Sequence, residues 1–205
     1  MVPFFMNQID YFFLELGLSW SLAKAIPYIS SIILGIMLFY FLKKVKLKKK
    51  WLRVTIRFTS LLTPFIIYFS FFPIYEGDFT NQGTRPKSSI LFPQSKSLTV
   101  VVLPNCPYCY QSILLMKKIK ERNPHIPINY WVSTQDTLPS NTAILKVLPK
   151  DFQVIQRHDI EKISELVQGT YPCFILSEKG KAVKLWNNNQ VGVSSMDEIE
   201  NFFSN

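Results

Sequence analysis

Charge is scarce in this 205-residue sequence: Asp, Glu, Lys and Arg make up 18% of it, against about 25% in an ordinary soluble globular chain. Cysteine is scarcer still, with three residues, which excludes a small disulfide-stapled scaffold. Apolar residues are plentiful, 48% of the chain with 15% aromatic. That excludes a disordered chain, which would be poor in aromatics and rich in charge. So little charge in so apolar a chain points to a part that sits in lipid. The length suits one or two domains, and no internal repeat or long low-complexity tract is present.

Negative charge is missing altogether from Lys43 to Arg57, which holds eight basic residues: Lys43, Lys44, Lys46, Lys48, Lys49, Lys50, Arg53 and Arg57. On either side lies an uncharged apolar run of 18 residues, Ala25 to Leu42 and Phe58 to Tyr75. Each reaches the lower end of the ~17–25 residues that cross a bilayer core as a helix. Together they predict an α-helical transmembrane hairpin over 23–75, with Pro64 tolerated inside the second helix and kinking it. Short Lys/Arg-rich loops stay cytoplasmic. The loop 43–57 therefore predicts that the N-terminus and everything after Tyr75 lie on the extracytoplasmic, periplasmic side of the cell (inner) membrane. Anionic headgroups are the expected contacts of the loop. The net charge of +9 is no sign of nucleic-acid binding, because the rest of the chain carries only +1 once this loop is set aside.

Residues 1–22 are apolar but interrupted by Asn7, Gln8, Asp10 and Glu15. On a helix, Phe5, Ile9, Phe12, Phe13, Leu16 and Trp20 share one face, an amphipathic stripe. There is no basic leading region and no small-residue cleavage site, so this is not read as a secretory signal. It predicts a helix lying on the outer membrane surface or, in a sharper reading, one that docks a partner. Residues 76–96, with Gly77, Gly83, Pro86 and Pro93 among polar residues, have no apolar period and read as a flexible linker.

From 97 to 205 the chain is balanced, with 11 basic and 10 acidic residues. Leu98 to Leu103 is a β-branched run suited to a strand buried on both faces. A helix follows from Pro107 to about Glu121, with Ile113, Leu114, Met116 and Ile119 facing inward. A strand is expected over Ile128–Val132 and a short helix over Ser140–Val147. A further helix is expected to be capped by Asp159 and closed by Gly169. Strands at Cys173–Leu176 and Ala182–Trp186 join at a Lys179-Gly180 turn, and a Ser195/Glu198 capping box opens a final helix. The order βαβ-α-ββ-α is that of an α/β domain: a right-handed parallel unit with an antiparallel hairpin added.

The junction of the first strand and helix reads Cys106-Pro107-Tyr108-Cys109. Pro107 suits the first helical position. Cys106 then sits beside the free N–H groups and positive end of the helix dipole, where a thiolate is stabilised and its pKa falls. Cys109 lies one turn further in. One thiolate attacks a disulfide and the other resolves the mixed disulfide. A zinc site would need a second pair of ligands. Only Cys173, His125 and His158 remain, none at metal-ligand spacing, so no metal site is expected. The bland readings are a structural disulfide for Cys106–Cys109, a small core residue for Cys173, solvated loops for both histidines, strand packing for Tyr130, Trp131 and Trp186, and a solvated face for Lys117, Lys118, Lys120 and Arg122.

Residues 97–205 resemble the thioredoxin-like superfamily. The resemblance is carried by Leu98–Pro104, the Cys106–Cys109 motif, and Gly169–Leu176, which looks like the family's cis-proline loop. It implies a cis Pro172 packed against the cysteine pair and main-chain hydrogen bonds from Tyr171 to an extended substrate. Pro107, Tyr108, Tyr171 and Pro172 are then substrate-contacting and Cys106 and Cys109 catalytic. Asn105 stands where thioredoxins usually have Trp, Tyr171 is bulkier than usual, and Thr134 to His158 looks like an insertion. The expected function is a membrane-anchored thiol–disulfide oxidoreductase with no cofactor beyond its own dithiol. Its expected partners are protein thiols and disulfides, the lipid bilayer, and a separate redox protein that recycles the pair. The alternative is a copper or zinc binding protein using Cys106, Cys109 and Cys173, a thiolate set that suits Cu(I).

Overall fold

A computed structural model describes residues 8–44, 49–86, 90–135, 137 and 142–204. They fall into two compact units that divide after Tyr75. The first unit holds α1 (Gln8–Glu15), α2 (Trp20–Lys43) and α3 (Lys50–Phe71). Gly17, at φ +85°, ends the first helical segment, a backbone region open to glycine. Ser19 then caps α2, its hydroxyl accepting from Leu22 N at 3.3 Å. The stripe read over residues 1–22 is therefore divided: Trp20 opens α2, and Phe5 lies outside the described residues. On α1 the stripe residues Ile9 and Phe12 face outward, whereas Asp10 and Leu14 are the buried ones.

α2 and α3 are both long and apolar enough to cross a bilayer core. They pack so closely that a Cβ on Gly35 would collide with the Leu61 carbonyl. The Tyr28 hydroxyl donates to the Phe72 carbonyl. Arg57 donates to the carbonyls of Leu42 at 3.4 Å and Lys43 at 2.9 Å, closing the C-terminus of α2. The second helix starts eight residues earlier than its uncharged run predicts and ends four earlier. Lys, Leu and Arg propagate a helix readily, and Pro73 disfavours helical backbone at the residue before it. Arg53 and Arg57 are thus helical rather than loop residues. Lys46 and Lys48 lie outside the described residues.

The second unit is built on a five-stranded sheet in the order β3-β2-β1-β4-β5: β1 (Ser97–Val102), β2 (Ile128–Ser133), β3 (Gln153–Arg157), β4 (Cys173–Glu178) and β5 (Lys181–Asn187). β1, β2 and β3 run parallel, and β4 and β5 are antiparallel. The helices are α4 (Pro107–Arg122), α5 (Ala143–Val147), α6 (Ile160–Val167) and α7 (Val193–Ser204). Ile163, Leu166 and Val167 of α6 cover one sheet face through Val101, Trp131, Cys173, Ile175 and Leu185. α4 covers the other, where Ser112 meets Tyr130. Arg122 ties α4 to Glu200 of α7 at 2.9 Å. This is the thioredoxin-like fold that the sequence resemblance implied.

Several expectations need correction. The stretch read as an insertion supplies α5 and β3, a strand missing from the expected order. β3 is a half-exposed edge strand, and Gln153, Gln156 and Arg157 around Val154-Ile155 give it no period-two apolar signal. Leu114 is 65% exposed and Leu115 takes the inward place expected of it. Asp159 stands at the N-cap of α6 without a capping bond, because its carboxylate is held by Arg157 at 2.6 Å. The last helix begins at Val193, two residues before the predicted box. Ser195 bonds back to Gly192, while Glu198 pairs with Lys184 at 2.6 Å. Lys120 and Arg122 are tied, to the Ile126 carbonyl and to Glu200. Of the expected helix 140–147, Ser140 and Asn141 lie outside the described residues.

The linker reading of 76–96 also gives way. Thr84 exchanges two 2.8 Å backbone hydrogen bonds with Leu185 on the outer edge of β5. The Asp78 carbonyl accepts from Ser194 N at 3.0 Å, and the Pro93 and Gln94 carbonyls receive the Lys179-Gly180 turn. Ile90 and Phe92 are buried in the core beneath α6, Phe92 stacked on Trp131 with centroids 4.9 Å apart. Residues 87–89 lie outside the described residues; the described parts of 76–96 form a strap built into the domain.

Candidate active site

The site forms where β1 hands over to α4. Pro104 and Asn105 turn the chain, and Tyr110 reaches back from α4 to donate to the Pro104 carbonyl at 3.3 Å. Cys106 is the N-cap and Pro107 follows in the first turn. The Cys106 sulfur accepts from Cys109 N at 3.2 Å, so it occupies the place where a capping oxygen usually satisfies a free amide. Cys106 is half-buried and Cys109 wholly buried. The two are joined as a disulfide with Cα atoms 5.2 Å apart. Pro107 is exposed and Tyr108 is 41% exposed, so the two residues between the cysteines face solvent.

The Tyr171–Pro172 peptide bond is cis. β4 begins at the next residue, and Cys173 pairs with Val101 of β1. Continued by one residue, this register sets Pro172 level with Val102. Tyr171 and Pro172 thus stand at the end of the sheet from which the cysteine motif departs. Pro172 is buried, and Tyr171 is half-buried against the α6-side core.

Cys173 is wholly buried and free. Its sulfur lies 3.8 Å from the Asn187 side-chain oxygen, and burial pushes its thiol pKa far above the ordinary value. It is not gathered with the other two cysteines as the metal alternative requires: among the described residues no three His, Cys, Asp or Glu side chains converge as a metal-holding group. His125 and His158 are exposed, the latter 3.1 Å from the Thr134 carbonyl.

Two residues absent from the sequence-level site stand beside it. Ser112 donates to the Cys109 carbonyl at 2.7 Å, and its hydroxyl lies 3.5 Å from that of Tyr130. Burial raises the Tyr130 pKa well above its ordinary value. The one sequence signal was a serine three residues after Cys109, set among the apolar inward positions of α4.

Chemically, the site presents a redox-capable pair at the positive end of a 16-residue helix, with one cysteine half-buried and the other wholly buried. No protein-family model matches the sequence, and no curated protein matches it significantly. Solved structures similar to it include a secreted Mycobacterium tuberculosis disulfide oxidoreductase homologous to E. coli DsbE, at 14% identity over 52% of this chain and 80% of that one, with a TM-score of 0.37. StoA from Bacillus subtilis is 14% identical over 59% of this chain and 98% of its own, with a TM-score of 0.39. Apo Sco1 from Thermus thermophilus is 11% identical over 63% and 97%, with a TM-score of 0.43. Likeness at these identities concerns the fold, and function has to be read from the site.

Proposed function

We propose that this chain is a thiol–disulfide oxidoreductase anchored in the cell membrane, with its thioredoxin-like unit on the extracytoplasmic side. The observation that carries the reading is the asymmetric pair at the start of α4: a half-buried Cys106 whose sulfur caps the helix, bonded to a wholly buried Cys109. In the reduced protein the helix N-terminus favours the Cys106 thiolate. That thiolate attacks a substrate disulfide, forming a mixed disulfide and releasing one substrate thiolate. The Cys109 sulfur then bonds to Cys106, and the second substrate sulfur leaves with the electron pair and takes up the Cys109 proton. The substrate gains two electrons and the dithiol becomes the disulfide; run backwards, the same steps oxidise a substrate dithiol. The redox group is the protein's own sulfur pair.

Tyr171 and Pro172, at the same sheet end, supply a docking edge for an extended segment, and the exposed Pro107 and Tyr108 flank it. α2 and α3 cross the bilayer, with the basic segment between them in the cytoplasm and α1 on the outer surface. The hairpin contains no cysteine, so a separate redox protein resets the pair. The test is a trapping experiment with membranes. Cys109→Ala accumulates mixed disulfides that reductant removes, while Cys106→Ala and the double variant form none. Equal trapping by Cys106→Ala, or none by Cys109→Ala, overturns the reading.

A further inference from the structure

Given the dithiol chemistry proposed for Cys106 and Cys109, on which this inference rests, we propose that Ser112 and Tyr130 are positioning residues for Cys109. Ser112 lies three residues along α4 from Cys109, on the buried face. Its hydroxyl donates to the Cys109 carbonyl at 2.7 Å. The Tyr130 hydroxyl, from the interior strand β2, lies 3.5 Å from the Ser112 hydroxyl oxygen. Among the described residues it has no other hydrogen-bond partner. A carbonyl only accepts, so Ser112 spends its one proton there and the phenol is left to donate. The direction is fixed: Tyr130 O–H to Ser112 Oγ, and Ser112 O–H to the carbonyl of the resolving cysteine.

A serine that bonds back to its own helix is a common habit. The second hydroxyl, brought from a different element, is what distinguishes this one. The surrounding positions on α4 are Ile113, Met116 and Ile119, all fully buried. Alanine and phenylalanine would fill such an interior with no polar group to satisfy. The Tyr130 ring is itself fixed, stacked on Phe152 at 5.6 Å with the planes 9° apart. Burial keeps the phenol neutral, so the relay stays protonated. It runs from the middle of the sheet to the backbone of the turn that carries Cys109. Ser97 to Met116 holds no Asp, Glu, Lys, Arg or His.

The relay bears on the second chemical step. There the Cys109 sulfur bonds to Cys106, the bond from Cys106 to the substrate sulfur breaks, and the Cys109 proton ends on the leaving sulfur. A looser first turn of α4 slows that closure more than it slows the attack by Cys106, which precedes it.

Ellman's reagent separates the two steps in the reduced full-length protein in detergent. Attack by Cys106 releases a first equivalent of thionitrobenzoate, and closure by Cys109 releases a second. Stopped-flow traces give the ratio of the two rates. In Ser112→Ala and Tyr130→Phe the ratio of second to first is expected to fall about two- to tenfold, the scale of one neutral hydrogen bond, and Ser112→Thr restores it. Ile199→Val, a buried change on α7, lowers stability without moving the ratio. An unchanged ratio in folded Ser112→Ala overturns the proposal, as does an equal fall in Ile199→Val. Should Tyr130→Phe not fold, Ser112→Ala and Ser112→Thr carry the test alone. A wild type that releases only one equivalent overturns the redox reading itself, a result distinct from either.

Discussion

Phe92 offers a sharp test of whether residues 76–96 belong to the domain. Its side chain is 5% exposed, and its ring stacks on Trp131 at 4.9 Å with the planes 16° apart. Phe92→Ala removes the buried ring and opens a void beneath α6. Substitutions of this kind cost about 3–5 kcal/mol. For a unit of about 130 residues each kcal/mol lowers Tm by about 3–5 °C, so the lower end already corresponds to a fall of roughly 10–15 °C. A solvated tether would register within about 0.5 kcal/mol. The neighbour Leu91, 81% exposed, supplies the control: Leu91→Ala stays near wild type. Thermal melts of the full-length protein in detergent, followed by near-UV circular dichroism, read both. A fall under about 2 °C for Phe92→Ala, or one matched by Leu91→Ala, would refute the packing described for the strap.

Three further outcomes follow from the same geometry. Burial pushes the Cys173 thiol pKa up, so in the reduced protein iodoacetamide between pH 7 and 9 modifies Cys106 and spares Cys173 until denaturant is added; mass spectrometry of the peptides counts the labels. Arg157 holds the Asp159 carboxyl below its usual range, so the pair stabilises the fold above about pH 4, the unfolded carboxyl pKa, and its contribution disappears as pH falls through the lowered folded value. Both partners are partly solvated, so Asp159→Asn costs under about 1 kcal/mol at pH 7, and urea midpoints of the two proteins converge in acid. Gly35→Leu forces α2 off the Leu61 carbonyl, and cysteine cross-linking between residues 28 and 72 is expected to drop severalfold in that background.

Elements with strong local signals were legible. The β-branched run of β1, the proline after Cys106 and the Lys179-Gly180 turn each state their structure within a few residues. The cis bond before Pro172 came only through the family resemblance. What escaped was whatever depends on partners distant in sequence. β3 is an edge strand whose polar residues need no apolar alternation. Ile90 and Phe92 look like part of a brief apolar triplet in a polar stretch, too short to announce a core contact, until Trp131 is brought beside Phe92. Asp159 reads as a cap until Arg157 takes its carboxylate. Ser112 and Tyr130 carry no motif, since one lies on a helix and the other on a strand 18 residues away. The hairpin was legible in its apolar runs but not in its ends, because basic residues extend a helix as readily as apolar ones.

The pairing of Thr84 with Leu185 has a consequence for how the molecule behaves in a crowd. A bare outer strand is an invitation to edge-on association with another copy. Along β5 two of the backbone groups that would accept such a visitor are already engaged by the chain's own strap. At the opposite margin, β3 is only five residues long and ends on Arg157, which lays its guanidinium over Trp131 at 4.5 Å. Each border of the sheet is thereby discouraged from recruiting a neighbour, so copies of this unit can meet often without adding strands to one another.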